Sequence, residues 1–197
     1  FTIGVFITDV NGNFNSGRVL APGLYKVRVR KLNSGYVQTF YVNGRDLSTA
    51  TPVNVTANTD FTANVAMSAG GTITGTIRDR ASGQPLAGAT VNVRRVASGT
   101  FFGDFSVSTD ASGNYTITGL HPGEWLVAAQ AAGHVFGWYS GDPNNLGVDF
   151  STSTPIPIAG TQTVSNVNLN LELGGGQIRG RITRSDNGQP VPVGTSV

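Results

Sequence analysis

The side chains able to do chemistry are few in this chain, and they are scattered. It has two histidines, His121 and His134, two glutamates, Glu124 and Glu172, and no cysteine. A zinc site needs three or four clustered ligands, which this set does not provide. His121 lies in a His-Pro-Gly turn, and both histidines are expected at the surface. Glycoside hydrolysis needs two carboxylates converging in a cleft, whereas Glu124 and Glu172 fall among outward polar positions of alternating segments. No Ser-His-Asp set assembles either, and no enzyme is expected. The densest run of oxygen ligands is Gly141-Asp142-Pro143-Asn144-Asn145-Leu146-Gly147-Val148-Asp149. Calcium takes six to eight oxygens from such loops, so Asp142, Asn144 and Asp149 are the candidate ligands. The same residue types build ordinary loops, and a plain loop with no cofactor is the preferred reading. Phe40-Tyr41 and Trp138-Tyr139, 98 positions apart (138 − 40), could stack on a sugar ring. Packing or subunit contact is the preferred reading of those aromatics.

These residues sit in a chain of 197 with 27 glycines and only 12% charged residues. That charge content is about half the usual share. The net charge of +2 is too small to imply a nucleic-acid partner. No apolar run approaches the ~20 residues of a membrane span, so no membrane insertion is expected. The low charge, the abundance of Thr and Asn and the lack of cysteine point to a secreted bacterial surface protein. Without an initial Met or a signal peptide, the chain reads as a processed product or a segment of a longer one.

The elements that must carry these residues are strands. Asn166-Val167-Asn168-Leu169-Asn170-Leu171-Glu172-Leu173 and Tyr25-Lys26-Val27-Arg28-Val29-Arg30 alternate polar and apolar residues. Phe61, Ala63, Val65 and Met67 are spaced by two. Alternation places one face on a core and the other in water. Strands are predicted near 72–79, 88–96, 101–108, 114–119, 124–131, 134–140 and 163–173, with an extended piece at 154–158. Their joins carry turn residues, as in Ala81-Ser82-Gly83-Gln84-Pro85 and Asp110-Ala111-Ser112-Gly113. Seven short strands at this spacing argue for a β-sandwich. Trp125 and Tyr25 follow Pro-Gly in the same way and are the expected core anchors.

The chain also repeats itself. Thr8-Asp9-Val10-Asn11-Gly12-Asn13-Phe14 returns as Thr109-Asp110-Ala111-Ser112-Gly113-Asn114-Tyr115, 101 positions later (109 − 8). Leu20-Ala21-Pro22-Gly23 returns as Leu120-His121-Pro122-Gly123, 100 later (120 − 20). Ile73-Thr74-Gly75-Thr76-Ile77 returns as Ile178-Arg179-Gly180-Arg181-Ile182, 105 later (178 − 73). A near-constant offset predicts tandem copies of one domain of roughly 100 residues. Only the middle copy, 70–173, is whole. Residues 1–69 read as the later part of one copy and 174–197 as the opening strands of another.

Gly71-Thr72-Ile73-Thr74-Gly75-Thr76-Ile77, Gly83-Gln84-Pro85-Leu86-Ala87-Gly88-Ala89-Thr90-Val91, the Thr109–Tyr115 turn and Leu120-His121-Pro122-Gly123 resemble the bacterial carboxypeptidase regulatory-like domain. The pattern is similar to collagen-adhesin B-type and transthyretin-like modules. The resemblance implies an all-β, prealbumin-like, seven-stranded Greek-key sandwich, used as a non-catalytic appendage or tandem spacer. Adhesin B-type modules often carry a Lys–Asn crosslink promoted by a Glu. The first-strand positions here are Ile77-Arg78-Asp79 and Ile182-Thr183-Arg184, and the Glu positions are Val29 and Ala129. With the lysine and glutamate missing, no such crosslink is expected.

The leading expectation is a structural protein, a stalk or extracellular filament. Its partners are copies of itself, head to tail, or adjacent repeats of one chain. Ile178 and Ile182 would close the sandwich that Tyr25, Val27 and Val65 begin, through strand addition. The second class of function is an adhesin or carbohydrate-binding accessory module with a glycan or surface ligand.

Overall fold

Thr, Val and Ile are stiff at χ1 and favour strands, while Gly and Asn supply the turns, so this composition favours a nearly all-β chain. The computed structural model describes residues 4–31, 34–42, 44–96, 105–174 and 179–190. Among the described residues the helical content is one 3-10 turn, Phe150–Thr152, capped by Asp149. Four short strands come first: β1 Gly23–Tyr25, β2 Arg28–Val29, β3 Thr39–Phe40 and β4 Val53–Val55. Five follow in the central region: β5 Gly71–Asp79, β6 Thr90–Arg95, β7 Phe105–Ser108, β8 Asn114–Leu120 and β9 Gly123–Gln130. The region ends with β10 Gly137–Trp138, β11 Ile156–Ile158, β12 Thr163–Val164 and β13 Leu169–Leu171.

The central strands form two sheets. In one, β6 lies between β7 and β9, and β9 carries β10 and β11 on its other side, all antiparallel. In the other, β5 lies between antiparallel β8 and the successive β12 and β13, both parallel to β5. Inward residues of both sheets meet in one core. Ile73, Ile77, Ile117, Leu169 and Leu171 from one sheet face Val91, Val93, Trp125, Val127 and Ala129 from the other. Every fully enclosed member of that core lies between residues 73 and 171. Each buried branched side chain contributes about 1.5–3 kcal/mol, so the central sandwich closes on its own residues.

Two predicted strands differ from expectation. The strand predicted over 134–140 is only Gly137–Trp138. That over 163–173 divides into β12 and β13, because Asn166 takes φ 64° and Val167 turns its backbone inward. The Val167 N–H donates to the Thr74 carbonyl, and its own carbonyl accepts from the Tyr115 hydroxyl at 2.7 Å. Burial raises the pKa of that phenol and holds it in its protonated, donating form. The stretch 101–104 of the third predicted strand lies outside the described residues.

Positions that repeat in sequence make the same bonds. Asp9 accepts from the Asn11 and Asn13 amides at 2.9 and 2.8 Å, and Asp110 accepts from Ser112 and Asn114 at the same distances. Tyr25 Oη donates to the Ala21 carbonyl, and Trp125 Nε1 to that of His121. β1 with β4 and β2 with β3 reproduce the pairings of β9 with β11 and β10. Gly83 and Gly188 donate back to Asp79 and Arg184 in matching turns.

Candidate functional site

By sequence correspondence the strands of residues 4–69 match β9, β10 and β11, and none of them pairs as β5 or β6 does. β5 pairs with β8, β12 and β13, and these three have no other ladder partner. The matching N-terminal stretches, around Asn13–Val19 and Asp60–Met67, form no ladder, although 61–67 alternates in sequence. The corner strands β1 to β4, whose partners are present, do form. Exposure follows the same division. Trp125, Val127 and Leu169 are buried, whereas Tyr25, Val27 and Val65 at the corresponding positions are only half-buried. Phe14 and Phe61 are exposed.

At the other end, residues 179–190 are all exposed, Ile182 among them, and they make one isolated bridge, Thr183 to Pro190. Ile178 lies outside the described residues. Gly180 is the counterpart of Gly75 and stands in open space, whereas a Cβ on Gly75 would lie 1.9 Å from the Val167 carbonyl oxygen. So Tyr25, Val27 and Val65 are each half-buried, and Ile182 is exposed. Trp125 is the fully enclosed anchor; Tyr25 makes the equivalent hydrogen bond but keeps part of its ring in water.

The histidines correct an expectation. Neither is a surface residue: His121 is buried, because its turn folds in to give Trp125 a carbonyl acceptor at 2.9 Å. The His134 ring is held between the Ala132 carbonyl at 2.9 Å and Asp79 Oδ2 at 3.0 Å, with its side chain nearly enclosed. Spacing alone could not reveal this, since Asp79 is 55 positions away.

In the loop 141–149 the acidic oxygens serve the backbone. Asp142 Oδ1 accepts from the Asn144 N–H at 2.9 Å, and Asn144 Oδ1 accepts from Asn170 Nδ2 at 2.7 Å. Asp149 caps the 3-10 turn through Ser151 and Thr152. No group of three or more His, Cys, Asp or Glu side chains able to hold a metal occurs among the described residues. Of the aromatics considered for stacking on a sugar, Phe40 is buried, Tyr139 packs against the core, and Trp138 meets Phe136 edge to face at 5.7 Å.

Asp46 and Asp79 give these turns an acid signature. The Ser82 hydroxyl and N–H, with His134, lower Asp79 to about 2. The Ser48 hydroxyl and the Thr49 N–H, with Arg95 nearby, lower Asp46 to about 2. A carboxylate lowered in the folded state contributes stability above its unfolded value, about 3.9, and loses it as pH falls through the folded value. The urea midpoint is therefore expected to hold steady above about pH 4 and to fall between about pH 4 and 2. A midpoint unchanged down to pH 2 would show that these bonds do not form.

Two facing sheets around a Trp-anchored core define an all-β sandwich domain. Residues 72–172 match the family model of the carboxypeptidase regulatory-like domain, and the chain belongs to that family. No curated protein matches the chain. Among solved structures it is similar to a type II cohesin–X-dockerin complex from Acetivibrio cellulolyticus, with 18% identity over 53% of this chain and 59% of that one at TM-score 0.36. It is similar to the Bacillus anthracis TIE protein, with 16% identity over 84% and 28% of the two chains at TM-score 0.40. A minor pilin of Streptococcus agalactiae gives 16% identity over 83% and 66% at TM-score 0.36. The chain spans less than two thirds of the length of the first two structures. No helix among the described residues is long and apolar enough to cross a membrane.

Proposed function

We propose that this chain is a non-catalytic structural module of a secreted or surface-exposed tandem-repeat protein, serving as a stalk or extracellular filament. On this reading 1–69, 70–173 and 174–197 are the later part of one sandwich repeat, a whole repeat and the opening strands of a third. The opening strands of one copy complete the sandwich begun by residues 1–69 of another, within one long chain or between subunits. The observation that carries the reading is the matched lack of partners. Stretches 13–19 and 60–67 form no ladder without a β5 counterpart, while residues 179–190, which contain the later part of that counterpart, stand exposed. The arrangement also differs from addition at a sheet edge, because β5 and β6 are both flanked on two sides. A head-to-tail joint of this kind does not close on itself and so extends.

Sedimentation of the 1–197 chain over a concentration series tests this. The chain is expected to associate, and Ile178→Asp with Ile182→Asp is expected to return it to monomer with the central sandwich still folded. Gly180→Val is a gentler probe: it meets nothing in the single chain, but in the joint it would stand where Gly75 approaches a neighbouring carbonyl. A 1–197 chain that stays monomeric at high concentration, with both ends protected in hydrogen exchange, would overturn the proposal.

A further inference from the structure

The joint between residues 34–37 and the central sandwich has an uncovered twin at the opposite pole. At the first site Gly70 N–H donates to the Gly35 carbonyl at 2.8 Å, and Val37 N–H to that of Ser68 at 2.9 Å. This small knot sits on the end of β8, where Gly35 N–H donates to Thr118 Oγ1 at 3.2 Å. Gly119, at φ 77°, lets the Tyr36 carbonyl approach; a Cβ there would lie 2.4 Å from that oxygen. A Cβ on Gly70 would likewise meet Val37 at 2.6 Å and the Leu120 carbonyl oxygen at 2.8 Å. Val37 is 5% exposed as a result.

The same knot recurs 98 and 104 positions later (133 − 35; 174 − 70). Gly174 N–H donates to the Gly133 carbonyl at 2.9 Å, and Val135 N–H to that of Glu172 at 2.8 Å. Gly35 and Gly133 share φ 75°. Tyr36 bridges Ala69 as His134 bridges Leu173. Here, among the described residues, the knot stands open: Val135 is 41% exposed and Leu173 70%. The Asp79 carboxylate holds the His134 ring from within the sandwich, which fixes the knot in the form its twin takes when covered.

We infer that the pole formed by Gly133–Val135 and Glu172–Gly174 is a docking face for a further copy of this sandwich. The face takes the β8 end of that copy, with Gly at the position of Gly119 and a hydroxyl at that of Thr118. The occupant is argued from the covered twin, an interface of this same chain. The inference rests on the repeat-array reading above, but concerns a different surface from the strand-completion joint.

The chain has no cysteine, so single introduced thiols report cover cleanly. In the 1–197 chain, at concentrations low enough for it to sediment as a monomer, Val37→Cys is expected to react with a thiol reagent about tenfold or more slowly than Val135→Cys, since reaction at the covered site needs local opening. In an extended chain, residues 1–174 followed directly by a second copy of 71–173, Val135→Cys is expected to slow to the Val37→Cys rate. Gly119→Val placed only in the appended copy should restore fast labelling. Equal, fast labelling at 37 and 135 in the 1–197 chain would overturn the inference, because the covered twin would not exist. So would fast labelling of Val135→Cys in the extended chain while Val37→Cys stays protected; that outcome leaves strand completion, tested by sedimentation, untouched.

Discussion

Replacing Trp125 with alanine is expected to destabilise the central sandwich by about 3–5 kcal/mol, the range for truncating a large buried aromatic. Burial and two contacts make the site unforgiving. The side chain is 1% exposed. Its indole N–H donates to the His121 carbonyl at 2.9 Å, so truncation also strands that acceptor. Its ring packs at 5.9 Å from Phe105 of β7, the edge strand of the same sheet. Tyr25→Ala supplies the internal contrast, since Tyr25 holds the matching position and hydrogen bond while only half-buried. Its cost in the same chain is expected to be well below that of Trp125→Ala. Urea unfolding followed by circular dichroism measures both. A loss under about 1 kcal/mol at Trp125 would contradict a buried anchor, for which several kcal/mol is the rule.

Gly75→Ala is expected to cost about 3 kcal/mol or more, at or above the upper end for overpacking. Gly75 lies at the centre of β5, where the chain between β12 and β13 crosses over it. An added methyl would stand 1.9 Å from the Val167 carbonyl oxygen and 2.9 Å from the Tyr115 ring. Relief requires moving Val167, and that breaks two bonds, from its N–H to Thr74 and from the Tyr115 hydroxyl to its carbonyl. Backbone cannot swing away as a side-chain tip can, so the strain falls on β5 and the link between β12 and β13. Gly180→Ala in the same chain should be near neutral, because that position meets no atom within 4 Å. Equal effects at 75 and 180 would show that β5 is not held against Val167.

The alternation of Val167, Leu169 and Leu171, and the Pro-Gly placement of Trp125, made the sheets, the turns and the central anchor legible in the sequence. Such patterns are local, and side-chain period and turn chemistry are set within a few residues. What escaped was set by distant partners. His134 is enclosed because Asp79 reaches it, and the 163–173 strand breaks because Gly75 leaves room for Val167 to turn inward. The same alternation is present at Phe61, Ala63, Val65 and Met67, yet no ladder forms there. An alternating segment states which face would be buried; it does not supply the strand that buries it. The central position of β5 and β6 was equally hidden, since pairing order is a long-range property.

The parallel pairing of β13 with β5 has a mechanical consequence. β5 starts at Gly71, and Leu171 at the end of β13 pairs with Asp79 at the far end of β5. The points where chain enters and leaves the sandwich are thus separated by the length of β5, about 26 Å at ~3.3 Å per residue. A pull on residues 71 and 171 in opposite senses runs along the boundary between these two strands. Their bonds are loaded together, in shear, and cannot open one at a time as they would in a hairpin peeled from its ends. Extension then waits on one cooperative rupture, whose rate is governed by the unfolding barrier. Tension along the chain therefore meets the sandwich in its resistant direction.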